Sequence, residues 1–304
     1  MDFFTKSLAE DEGVPSQSSK AFPKQKGDDA TPWEGTVVLA YDRVQDKTRL
    51  AQVWHQAPLK VQRPFYPEAP SICHTILIHT AGGMLGGDRL IYRLTLATGS
   101  HAVVTTAAAS KVYCAQAKTT EQVIEIDIAE NACLEWLPQE TIVFDRAQFK
   151  QTLKVNLEPN ATWLGWDIYR FGRTARGERF VEGEWRSHTE VWQAGVPLWI
   201  DRQWLPASQQ MIDHPHGLNG CPVVGTFAWI GQTVDREFVQ TLRDLWTSLG
   251  LQGEIGVTRV QKGFICRYRG QSTAEVRQWF TQVWNHVRFY ALGQPACPVR
   301  VWQV

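Results

Sequence analysis

Three groups of residues in this chain have types and spacings that could do chemistry. The first is the run Gly82-Gly83-Met84-Leu85-Gly86-Gly87-Asp88, with two Gly-Gly pairs placed three residues apart. Such a backbone reaches positive φ and lets another chain approach closely. No Lys-Ser/Thr follows it and no helix opens behind it, which disfavours a phosphate cradle. Asp88 then either caps a tight turn or is presented to a partner or an ion. The second group is His214-Pro215-His216 with Cys221 close behind. Imidazole and thiolate suit nickel, copper or zinc, but no third and fourth ligand stand at standard spacing, so a tight structural site is not expected. The third is a scatter of carboxylates among the β segments: Glu135, Glu140, Asp167, Glu178 and Asp201. These are either paired in a core or line a hydrated path, and the sequence leaves both readings open. No Gly-x-Ser-x-Gly elbow is present, and no cysteine stands at a helix N-terminus with an evident histidine partner. The chain is not expected to be an enzyme.

Composition narrows the partners. Lys plus Arg number 31 and Asp plus Glu number 31, so no basic surplus exists to neutralise phosphates, and nucleic acid is not an expected partner. Near-zero charge with 14 Trp gives little self-repulsion, which suits a chain that works inside a complex. The six cysteines, at 73, 114, 133, 221, 266 and 297, form neither a C-x-x-C pair nor a disulfide framework, which points to a reducing compartment. Residues 1–32 are polar, carry early acids and lack an apolar core, and read as a disordered, cytoplasmic lead-in rather than a targeting peptide. No apolar run of about 18 residues predicts a membrane span.

The elements that must position these residues are mostly strands. From about residue 35 the dominant period is two. Phe149, Gln151, Leu153, Val155 and Leu157 alternate with polar neighbours, as do Gln122, Ile124, Ile126 and Ile128, and Leu90, Tyr92, Leu94 and Leu96. Further strands are predicted at 36–41, 48–54, 73–80, 101–107, 162–170, 180–193, 197–205 and twice within 254–268. Polar turns precede Ala102, Ala132 and Ala161, which fall 30 and then 29 residues apart. A strand–turn–strand unit of that length predicts wound, stacked sheets, a β-solenoid-like body. The period changes in the last third. Asp235 caps a helix carrying Phe238, Leu242, Leu245 and Leu249 on one face, and Ser272-Thr273-Ala274-Glu275 is a capping box ahead of Val276, Phe280, Val283, Val287 and Tyr290. The expected fold is therefore mainly β (α+β), with residues 33–304 as a single domain bearing about two C-terminal helices.

Six segments resemble one family. HTAGGMLGGDRL (79–90), GSHAVVTTAAASKVY (99–113), LEWLPQETIVFDRA (134–147), WDIYRFGRTARGERF (166–180), LNGCPVVGTF (218–227) and CPVRVWQV (297–304) are similar, in order and spacing, to the urease accessory protein UreD (UreH) family. The resemblance implies a non-catalytic, β-rich maturation factor. It implies that the factor binds UreF, which recruits the GTPase UreG, and that the assembly docks on apo-urease and helps insert nickel. Nickel would then be a cargo in transit and no cofactor would be tightly bound. The carboxylates matching the family's metal path are Asp88, Asp167 and Asp201, with Glu178 nearby. A stand-alone metallochaperone using His214, His216 and Cys221 is the alternative. The chain departs from the family pattern at Pro298-Val299-Arg300-Val301-Trp302 and at Leu218-Asn219-Gly220-Cys221, which bears on partner contacts.

Overall fold

Alternating polarity builds most of the first sheet's strands because one face of each is buried. The computed structural model describes residues 32–114 and 118–302. Residues 1–31, which make up all but the last residue of the expected lead-in, lie outside the described residues, as do Gln303 and Val304 at the end of the last matched segment. The chain opens with an antiparallel ribbon, β1 (Glu34–Val44) and β2 (Lys47–Gln56), and the short β3 (Leu59–Val61). It then winds. β4 (Ile72–His79), β5 (Arg89–Leu96), β6 (His101–Thr106) and β7 (Ser110–Val112) are followed by β8 (Thr120–Ile128), β9 (Cys133–Trp136) and β10 (Thr141–Val143). The next coil is β11 (Gln148–Leu157) and β12 (Thr162–Phe171), after which come β13 (Glu184–Gln193) and β14 (Val196–Pro206).

Successive coils stack in parallel. One sheet has the order β14-β13-β11-β8-β5-β1-β2, and the facing sheet runs through β12-β9-β6-β4-β3, with β7 and β10 forming a short third face. This is a β-solenoid of about four turns. The register gives the period: Arg89 lies opposite Glu121 and Glu121 opposite Lys150, offsets of 32 and 29 residues. The corner turns show why. Gly99, Asn131 and Asn160 all take left-handed φ, at 69°, 57° and 58°, the conformation that Gly and Asn tolerate best. The residues that close these turns are Ser100, Ala132 and Ala161, each donating its N–H three residues back. Ala102 is therefore not the counterpart of Ala132: the repeat is real, but its first copy is shifted by two residues and has serine at the corner.

The remaining elements extend the second sheet by three antiparallel strands beyond β12 and lay helices against its outer face. They are the single-turn α1 (Gln209–Asp213), β15 (Val223–Ile230), α2 (Arg236–Ser248), β16 (Glu254–Val260), β17 (Gly263–Gly270) and α3 (Thr273–Leu292). Asp235 and Ser272 cap α2 and α3 as the sequence predicts, accepting from Phe238 N–H (2.7 Å) and Glu275 N–H (3.3 Å). The Glu275 carboxylate takes the Tyr268 hydroxyl at 3.4 Å. α1 and the strands of three or four residues escape a periodicity reading because they are too short to show one.

Two apolar cores result. The first fills the solenoid between its sheets, around Leu94, Ile126, Val155, Trp136 and Trp163. The second lies between the outer face of the second sheet and α2 and α3, around Trp166, Phe227, Trp279, Phe280 and Trp284. β12 serves both, because Trp163, Tyr169 and Phe171 point into the first core while Leu164, Trp166 and Ile168 point into the second. A strand buried on both faces loses its alternation, as β12 does.

Candidate functional site

The glycine loop connects β4 to β5 and lies against the third face. Met84 bridges Val112, and the Tyr113 hydroxyl donates to the Gly82 carbonyl at 2.8 Å. Gly83 and Gly87 take φ of +154° and +94°. A Cβ at Gly83 would stand 2.5 Å from the Tyr113 ring, so only glycine fits. Asp88 is buried, and its carboxylate accepts the Leu85 N–H (2.8 Å) and the Trp33 N–H (2.9 Å). Both oxygens thus hold backbone, as a turn cap does.

Glu178 has similar work. It lies in the loop between β12 and β13, pairs with Arg173, and accepts the backbone N–H groups of Arg173 (3.1 Å) and Asp145 (3.2 Å). Burial alone would raise its pKa, but Arg173 and these N–H groups bring it below the usual range. His214 and His216 are exposed at the end of α1, with ring centres 5.4 Å apart and the His216 N–H on His214 Nδ1. Cys221 is half-buried beside Gln271. Glu140 pairs with Arg277 of α3.

Asp167 and Asp201 come together. Asp167 projects from β12 into the solenoid and Asp201 lies across from it on β14; both line a cavity of about 10 Å³, room for about one water. Gln151 donates to Asp167 at 2.9 Å. Asp201 receives Arg267 (2.6 Å) and Gln203 (2.8 Å). Burial, and then the negative charge of Asp201, push the Asp167 pKa up to about 7. The cavity ends a polar row that the sequence did not reveal. In register across four adjacent strands stand Gln122, Gln151, Ser187 and Gln203, all on the inward face. Tyr169 Oη, Trp163 Nε1 and Trp185 Nε1, also inside the solenoid, have no hydrogen-bond partner among the described residues. A seam of polar groups therefore crosses an otherwise apolar core.

A second charged region lies on the opposite face of the second sheet, under α3. The register sets His101 beside Cys133 and Val103 beside Glu135, which brings His101, Cys133 and Glu135 to one patch. Glu135 Oε1 meets His101 Nε2 at 2.6 Å and Arg288 Nε at 2.8 Å, and Trp284 Nε1 donates to Oε2. Arg288 continues to Glu68 at 2.7 and 3.1 Å, and Glu68 to His74 Nε2 at 2.7 Å. Burial would raise the Glu135 pKa, but Arg288, His101 and Trp284 bring it down to about 2. Burial would lower that of His101, yet Cys133 and Glu135 raise it to about 10. Among the described residues, His101, Cys133 and Glu135 are the one group of three donors, with ligand atoms all within 4.8 Å, that could hold a metal ion. A cavity of about 150 Å³ reaches Cys133 and Glu135.

The winding of the chain and the placing of Asp167 inside it and of Glu135 under α3 define a β-solenoid scaffold backed by helices. The family model described as UreD urease accessory protein matches residues 34–303. The urease accessory protein UreD of Acaryochloris marina is 54% identical over 278 residues, covering 91% of this chain and 98% of the relative. That of Nostoc sp. is 53% identical over 271 residues (89% and 96%), and that of Synechocystis sp. 41% over 255 residues (84% and 94%). The chain belongs to the UreD urease accessory protein family, and is a non-catalytic factor in urease maturation and the assembly of its nickel centre.

Proposed function

We propose that this chain acts in the cytoplasm as a scaffold that, with UreF and the GTPase UreG, docks on apo-urease and assists nickel insertion, its own polar seam forming part of the transfer path. The observation that carries this reading is the row Gln122, Gln151, Ser187 and Gln203, ending where Asp167 and Asp201 face one cavity. An ion in transit needs oxygen ligands that release it, because a closed cage of thiolates and imidazoles would trap it. Amides, hydroxyls and two carboxylates meet that need. On this reading nickel is cargo. Asp88 and Glu178 hold the loops around the path through the backbone groups they bind.

Docking is supported by the apolar side chains on the edge strand β14. Val196, Ile200 and Trp204 stand 57%, 40% and 61% exposed on a sheet edge that no other strand of the described residues pairs with. Pull-down of the chain under mild conditions, with mass spectrometry of what it retains, should recover UreF-like and urease subunits. Asp167→Ala and Asp201→Ala should fold, keep those partners, and lower the nickel content of urease matured at limiting nickel. Full nickel loading in both variants would remove the path and leave the scaffold.

A further inference from the structure

The patch under α3 has a composition that the seam lacks. Three donors of three kinds, a thiol sulfur, an imidazole nitrogen and a carboxylate oxygen, arise from neighbouring strands in fixed register, His101 on β6 and Cys133 and Glu135 on β9. We propose that Cys133, His101 and Glu135 form a binding site for one soft divalent cation, nickel or zinc, separate from the Asp167–Asp201 seam and independent of whether that seam carries metal.

Four features support the assignment. The donor set selects against magnesium and calcium, which take oxygen ligands alone, and for borderline ions that accept sulfur and nitrogen. The carboxylate is already oriented from behind, with Trp284 Nε1 and Arg288 Nε on Glu135, so the outer groups that keep a ligand in place are present. The nearby positive charge of Arg288 is met by Glu68, bidentate at 2.7 and 3.1 Å, which leaves a cysteine thiolate and the Glu135 carboxylate to balance a divalent ion. Finally, the 150 Å³ cavity opens onto Cys133 and Glu135 and has Asn131, Asn160, Thr162 and Gln232 among its walls. It provides a way in and room for a water as the fourth ligand. The His101–Glu135 contact of 2.6 Å is a hydrogen bond, shorter than the roughly 3.3–3.7 Å between donors on a tetrahedral ion with bonds of about 2.0–2.3 Å. Metal entry therefore replaces the proton between His101 and Glu135 and the thiol proton of Cys133, spreads the His101 and Glu135 side chains apart, and releases both protons to solvent.

The test is a titration of the full-length purified chain with Ni(II), and separately with Co(II) as a spectroscopic probe, following thiolate-to-metal charge transfer in the near ultraviolet. One equivalent should generate the band and protect Cys133 from alkylation, mapped by peptide mass spectrometry. Cys133→Ser should abolish the band and weaken binding at least tenfold, with the unfolding temperature of the metal-free protein unchanged because Cys133 is only half-buried. His214→Ala/His216→Ala and Cys221→Ser should keep it. Absence of the band in the unmodified chain, its persistence in Cys133→Ser, or its loss in Cys221→Ser would each overturn the site. Asp167→Asn separates this proposal from the transfer path: the band should survive there even where nickel loading of urease falls.

Discussion

Glu135 and Asp167 stand on neighbouring strands of one sheet and face opposite ways, and their chemistry diverges. Glu135 points under α3 and is surrounded by donors: His101, Arg288 and Trp284. Asp167 points into the solenoid and receives Gln151, a neutral donor, with Asp201 across the cavity. Burial opposes ionisation in both. The first is nonetheless held at about 2 and the second pushed up to about 7. The difference teaches that partners, rather than depth, decide whether a carboxylate in this fold carries a fixed charge. A fixed charge ties α3 to the strands. A labile one suits a place where a cation passes.

Breaking the fixed pair should have the largest effect. Glu135→Gln leaves Arg288 buried with half its partners, and should cost about 3–5 kcal/mol in urea unfolding at neutral pH. Because the folded-state pKa of Glu135 lies below its unfolded value, its contribution is present above about pH 4.5 and is lost as pH falls toward about 2. The difference between the two proteins should therefore shrink on acidification.

Asp167→Asn should act with the opposite sign. Its folded pKa lies above the unfolded value, so ionisation opposes folding progressively between about pH 4 and pH 7. The amide should stabilise the protein at pH 8, by no more than about 4 kcal/mol, and by much less at pH 5. Equal unfolding midpoints for the two proteins at pH 8 would refute the labile-charge reading. Asp201→Asn loses its pairing with the half-exposed Arg267 and should cost about 1 kcal/mol. It should also reduce the gain from Asp167→Asn, a coupling that a double-mutant cycle measures directly. The smallest change is expected outside both regions. His214→Ala/His216→Ala should leave thermal stability within about 0.5 kcal/mol, since both rings are exposed.

Much of this was legible in the chain. Alternation placed β5, β8 and β11 because each buries one face, and Asp235 and Ser272 marked the helix starts because their side chains satisfy open N–H groups. The repeat was legible too, though Ala102 stood in for Ser100, since spacing alone does not say which residue turns the corner. Asp167 and Asp201 were visible as candidates, but their meeting was not. Asp201 had no sequence neighbour to suggest it, and the inward row of Gln122, Gln151, Ser187 and Gln203 exists only once the parallel register is set. Glu135 appeared as one carboxylate among several, because its partner Arg288 lies 153 residues away.

By itself, the sequence determined the elements whose signals are local: half-buried strands, capped helices, and glycine where φ must be positive. It also carried the family, because whole segments match in order. Only the tertiary structure decided the state of the charged groups. A pKa depends on what lies within a few ångströms, and in a solenoid those neighbours come from the coil before, the coil after, and a helix added at the end of the chain.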